Sequence, residues 1–152
     1  MRTITVLVLS GLLLGCSHSR TYQVSVTNQT DQPITFGLVK QGEPFEQKWA
    51  SPEDAAIYGG KASAETWAAI PPGKTATSEQ LKGRFRNDAE AYLRVYEGKL
   101  DLPGILSISR GQPNRLDLLL MPGYNKFVII DEEGHFVAHR DENARPPEPV
   151  KQ

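Results

Sequence analysis

From Tyr22 onward, apolar and polar residues alternate with a period of two. Tyr22, Val24 and Val26 are interleaved with Gln23, Ser25 and Thr27, and Ile34, Phe36 and Leu38 with Thr35 and Gly37. Successive side chains of a strand point to opposite faces, so this is the pattern of strands with one buried face. The polar stretch Asn28–Pro33 is a turn, and the two segments it joins read as a hairpin with a longish loop. The alternation returns at Ala91, Leu93 and Val95, at Leu106 and Ile108, and at Leu116, Leu118 and Leu120. Phe127–Ile130 is the near-continuous apolar run of a central strand; Asp131–Gly134 is a hairpin loop, and His135–His139 returns from it. A short strand over Thr75–Ser78 follows the turn Pro71-Pro72-Gly73-Lys74, and further turns fall at Arg110–Asn114 and Met121–Asn125. About eight strands with turn signals between them predict a mainly β protein, an antiparallel β-sandwich that is Ig-like or similar.

Gln41–Gly60 breaks the alternation. Ser51 is placed to cap a helix, Pro52 fits its first position, and Glu53 and Asp54 suit its positive end. One short helix is expected over Ser51–Tyr58, stopped by Gly59-Gly60. Ala62–Ile70 is alanine-rich at its start and strand-like at Trp67–Ile70. Lys82–Arg86 reads as a solvated loop. From Arg140 the chain is polar and carries Pro146, Pro147 and Pro149. Such a segment has too little apolar surface to offset its ordering entropy, which predicts a disordered tail over 140–152.

The first fifteen residues belong to a different pattern. Arg2 precedes an apolar run, Ile4–Leu14. As a helix these eleven residues rise about 16 Å, against a bilayer core of about 30 Å. The run is too short to span and fits the apolar part of a signal peptide. Leu13-Leu14-Gly15-Cys16 closes it. This resembles the lipobox of bacterial lipoproteins; Leu13, Gly15 and Cys16 match, while Leu14 stands where small residues are commoner. The resemblance covers the leader alone. It implies that the Cys16 thiol receives diacylglycerol, that a dedicated peptidase cuts before Cys16, and that the new α-amine is often acylated. Two buried acyl chains are enough for stable membrane attachment. In that family Asp after the cysteine tends to retain the protein in the inner membrane, so Ser17 implies the outer membrane, facing the periplasm. The expected organisation is a signal peptide at 1–15, a lipidated tether at 16–20, a β-sandwich domain at 21–139 and a tail at 140–152.

Composition then narrows the function. A chain of 152 residues holds one ordinary domain. The net charge is −1, or −2 once Arg2 leaves with the leader, whereas nucleic-acid binding selects for a clearly basic domain. The single cysteine excludes an internal disulfide, and its position at the end of the leader accounts for it. No G-x-S-x-G, P-loop or dinucleotide fingerprint occurs, and no cofactor is expected. His135 and His139 on one strand stand about 13 Å apart, too far to share a metal ion. The candidate contact residues are the aromatics of the irregular stretch, Trp49, Tyr58 and Trp67, which could stack on sugars or anchor a partner. The basic run with Lys82, Arg84 and Arg86 around Phe85 suits phosphate head groups, an anionic polysaccharide or an acidic partner. The expected function is a lipid-anchored envelope module with a binding or structural role, its partner a protein or an envelope polysaccharide. The alternative is a small envelope hydrolase acting on glycans with Glu53 and Asp54 as candidate carboxylates. It needs two carboxylates converging roughly 5 to 9.5 Å apart.

Overall fold

Nine strands are present in a computed structural model that describes residues 17–51, 53, 67–100 and 115–146. They are β1 (His18–Asn28), β2 (Ile34–Gln41), β3 (Trp67–Ile70), β4 (Thr75–Thr77), β5 (Leu81–Phe85), β6 (Glu90–Glu97), β7 (Arg115–Leu119), β8 (Gly123–Glu132) and β9 (His135–Arg140). A single 3-10 turn, Gln47–Trp49, follows β2. The helix expected over Ser51–Tyr58, apart from Ser51 and Glu53, and the strand expected at Leu106–Ile108 lie outside the described residues.

The strands form two sheets packed face to face. In the first, β1 pairs with β8 on one edge, while β4 and β5 share its other edge, and β9 lies beyond β8. The second runs β3-β2-β6-β7 and is antiparallel throughout. The alternation therefore delivers the sandwich it predicts, with one departure: β1 and β8 run parallel from Tyr22↔Gly123 to Asn28↔Ile129. Tyr22, Val24, Val26, Phe127 and Ile129 from the first sheet close on Ile34, Phe36, Leu38, Leu93 and Val95 from the second. Burial of this apolar surface drives the assembly at about 25 cal/mol per Å² removed from water.

The segment expected to be the loop of a β1–β2 hairpin is instead an arch between sheets. The Asn28 side chain is fully buried and fixes it. Asn28 Oδ1 accepts from Thr30 N at 2.9 Å and Thr30 Oγ1 at 2.8 Å, and Asn28 Nδ2 donates to the carbonyls of Gln32 (2.8 Å) and Ile70 (2.9 Å). An alternating run specifies which face is buried, not which strand lies beside it, so hairpin and arch look alike in sequence.

Three boundaries also differ from expectation. The basic run Lys82–Arg86 is mostly strand, because Gly83 and Phe85 face the core while Lys82 and Arg84 face solvent. A core-facing glycine hid that alternation. β1 starts at His18, so three of the residues assigned to the tether belong to the sheet, paired with β5 from His18↔Phe85 onward. At the other end β9 includes Arg140, and Asp141 is tied to β8 by its N–H to the Lys126 carbonyl (3.0 Å) and by an ion pair with Lys126 (3.2 Å). Arg140 and Asp141 thus continue the sheet edge, 142–146 follow as a turn and irregular chain, and 147–152 lie outside the described residues.

Replacing Asn28 with Ala would remove the Asn28 bonds to the Thr30 N–H and the Ile70 carbonyl, while the Thr30 hydroxyl and the Gln32 carbonyl keep each other (2.9 Å). Each buried polar group so orphaned costs about 1–3 kcal/mol. The expected result is a loss of about 3 kcal/mol and a melting temperature lower by about 10 °C or more, read by calorimetry. An unchanged melting temperature would show that the arch is held by other contacts.

Candidate functional site

Of the six residues expected to make a contact surface, the five described ones are not brought together as one. Trp49 is a core residue: it is 2 % exposed and packs edge-on against Tyr22 (5.6 Å between centroids) and Phe85 (5.4 Å). Its indole lies over Gly83, where an added Cβ would meet Trp49 Nε1 at 2.6 Å. The glycine inside the basic run is therefore space reserved for a tryptophan. Trp67 is half-buried on the outer face of the second sheet, against Tyr96 (5.6 Å) and directly over Gly37, where a Cβ would come within 2.5 Å of the ring. Both indole N–H groups are buried without a hydrogen-bond partner, so both rings are placed by packing. Tyr58 lies outside the described residues. Lys82, Arg84 and Arg86 remain exposed, on and just beyond β5.

Around that basic strand the chain builds a small charged knot. The Lys40 ammonium, on a buried stem, donates to the Pro44 carbonyl, to Glu46 Oε2 (2.7 Å) and to the Arg84 carbonyl (3.0 Å), and lies 5.2 Å from the Phe85 ring centroid. Glu46 also accepts the Arg84 N–H (2.9 Å). Burial pushes the Glu46 carboxyl up, but hydrogen bonds from Lys40 and the Arg84 amide outweigh it and hold it below the usual carboxylate range. The knot ties the loop after β2 to β5, which in turn pairs with the beginning of β1.

A second cluster lies on the outer face of the second sheet. Arg94 on β6 and Asp117 on β7 are cross-strand partners, and their bidentate contact has Nε to Oδ1 at 2.6 Å and Nη2 to Oδ2 at 3.1 Å. Glu53 joins from the connection between β2 and β3. Its Oε2 accepts from Arg94 Nη1 (3.2 Å) and the Tyr96 hydroxyl (2.6 Å), and its Oε1 from Arg115 Nη1 (3.0 Å). Two guanidinium groups face two carboxylates, so the cluster balances its own charge. Arg94 is only 7 % exposed, and without these carboxylates its burial would be costly. Burial pushes the Glu53 carboxyl up, but the Tyr96 hydroxyl, a backbone N–H, Arg94 and Ser51 together bring it below its ordinary value. Burial and the bond to Glu53 push the Tyr96 phenol up.

Chemically this arrangement braces. Both Glu53 oxygens are committed, and a carboxylate held ionised does not serve as a general acid near neutral pH. Asp54, its expected companion, lies outside the described residues. His135 and His139 are exposed on one face of β9, with His139 Nε2 at 3.7 Å from Glu132 Oε1. Among the described residues, no three His, Cys, Asp or Glu side chains gather as metal ligands. An open cleft of about 330 Å³ lies between Met121, Tyr124, Arg140, Asp141 and Glu142. Sequence reasoning missed Arg94 and Tyr96 because they stand at outward positions of a strand, where charged and polar residues ordinarily meet water.

Because Glu53 titrates below the usual value of about 4.5, its bonds contribute fully above that pH and are lost as pH falls through the folded value. Glu53→Gln should lower stability near neutrality by about 2 kcal/mol and flatten the acid limb of stability against pH. Denaturant titrations at pH 3 to 7 would check this, and parallel profiles for the two proteins would contradict it.

No protein-family model and no curated protein matches this chain.

Proposed function

We propose that this protein is a bacterial lipoprotein whose β-sandwich has a binding or structural role at the envelope membrane. The observation that carries the proposal is Leu13-Leu14-Gly15-Cys16 after an apolar run too short to span a bilayer. Cleavage before Cys16 and transfer of diacylglycerol to its thiol would leave two fatty chains on the new N-terminal residue. At about 0.8 kcal/mol per buried CH₂ these hold the protein on the membrane. Ser17 favours the outer membrane, facing the periplasm. The contact side of such a module is a protein or an envelope polysaccharide, met through side chains that the core does not use. Lys82, Arg84 and Arg86 remain available for that role, whereas Trp49 does not. Of the two carboxylates named for the glycan-hydrolase alternative, Glu53 is engaged by Arg94, Tyr96 and Arg115, and Asp54 lies outside the described residues.

Expression of the full chain in a bacterial host with labelled palmitate tests the address. The expected product is a membrane-bound protein beginning at Cys16, with an acylated N-terminal peptide by mass spectrometry. Cys16→Ala should accumulate as an unlabelled precursor that keeps residues 1–15. An unmodified Cys16 thiol, or a mature N-terminus elsewhere, would overturn the proposal.

A further inference from the structure

We infer that the end of the sandwich at which β1 begins lies on the bilayer, inserting Phe45, Leu119 and Met121 into its interface. The inference rests on the lipoprotein reading and adds to it an orientation and a contact surface.

The first observation is the length of chain available. β1 begins at His18, two residues after Cys16. Two residues of extended chain reach about 7 Å. A lipid on Cys16 therefore leaves no free tether. The end of the domain carrying His18 has to sit at the membrane surface.

The second observation concerns what that end displays. Among the described residues, the exposed large hydrophobic side chains are Phe45 (67 % exposed), Met121 (57 %) and Leu119 (45 %). They come from two segments, the loop after β2 and the end of β7 with its turn into β8, and the register puts all three at this end. Phe45 lies in the loop after β2, whose Glu43 carbonyl accepts the Arg86 N–H just past the Phe85↔His18 pair. Leu119 is the last residue of β7, opposite Tyr92 near the start of β6. Met121 stands two residues before Gly123, which pairs with Tyr22 of β1. Between the last two, Leu120 turns into the core. Asn125 holds the Met121 backbone, its Oδ1 accepting the Met121 N–H (3.0 Å) and its Nδ2 donating to the Met121 carbonyl (2.8 Å). The exposed thioether is thus carried on a fixed turn.

Among the described residues, the opposite end has none of these. Its arch and turns, Asn28–Pro33, Pro71–Lys74 and Asp131–Gly134, present Asp31, Lys74, Glu132 and Glu133. Exposed apolar side chains collected at one end mark a contact, and the tether length says with what. Charge at the membrane-side end is mixed. Arg20, Arg84, Arg86, Glu43 and Asp88 lie on the β1–β5 pair and the loops beside it, and Arg140, Asp141 and Glu142 line the cleft with Met121. The apolar side chains therefore supply the insertion, while the arginines reach lipid phosphates along their aliphatic stems. A strongly anionic leaflet is not required.

The test uses the lipidated full-length product in phosphatidylcholine vesicles. Diacylglycerol transfer consumes the natural cysteine thiol, so Phe45→Cys, Leu119→Cys and Met121→Cys each provide one free thiol for an environment-sensitive nitrobenzoxadiazole probe, with Lys74→Cys as the opposite-end control. The expected result is blue-shifted emission at 45, 119 and 121, quenched by spin-labelled lipid and shielded from iodide, with position 74 unaffected by the vesicles. A lipidated protein that floats with the vesicles while all four probes report water would overturn the inference and leave the anchor standing. Shielding from iodide without quenching by spin-labelled lipid would assign this end to a protein contact and overturn it equally. A protein that neither floats nor carries lipid would remove the anchor and this inference together.

Discussion

A guanidinium taken almost out of water on the outside of a sheet is the demand around which half of this structure is arranged. Arg94 has to be neutralised where it stands, and the in-register Asp117 supplies only one of the two carboxylates it uses. Glu53, 41 residues earlier in the chain, supplies the other. Its engagement fixes a point of the β2–β3 connection against the sheet, beside the buried Tyr96 hydroxyl. Thr35, Val39, Arg94 and Tyr96 are buried on a face that the alternation would assign to water. Removing one charge would orphan the others, which is why a neutral pair of pairs serves here better than a single ion pair.

The first sheet meets a different constraint at the end where β1 begins. β8 pairs with β1 only from Tyr22 onward, so the first residues of β1 depend on β5 for their hydrogen bonds. Beneath them the core is closed by three rings, Tyr22, Trp49 and Phe85, in edge and tilted contacts that aromatic quadrupoles favour. Gly83 makes room for the tryptophan, and Lys40 joins the loop to the strand from outside. The result is a closely packed end where β1 begins, with little slack between the proposed lipid and the domain. The outer apolar residues at this end sit on loops and strand ends that this packing holds in place.

These two regions divide the molecule's polar chemistry. The Arg94 cluster is spent internally, each of its charges answered by another. What remains unspent is concentrated near β5 and the neighbouring turns, as exposed arginines and exposed apolar side chains. In the proposed orientation this chemistry would meet the membrane surface, and the opposite polar end would face the compartment.

Much of the fold was legible because alternation is local. Tyr22–Val26, Ile34–Leu38, Ala91–Val95 and Phe127–Ile130 announced strands, and Glu133-Gly134 a tight turn, since burial of one face and the backbone freedom of glycine act over a few residues. The lipobox resemblance at Leu13–Cys16 is likewise carried by contiguous residues. Pairing was not legible: β1 next to β8 in parallel, β2 in the other sheet, and Glu53 on Arg94 each join residues far apart in the chain. The contact surface suffered in the same way. Trp49 and Trp67 looked available because they lie outside regular alternation, and only the glycines beneath them, Gly83 and Gly37, decide that they pack. A sequence by itself determines which residues prefer to leave water; which partners they find when they do depends on strand order and register, and those are properties of the assembled chain.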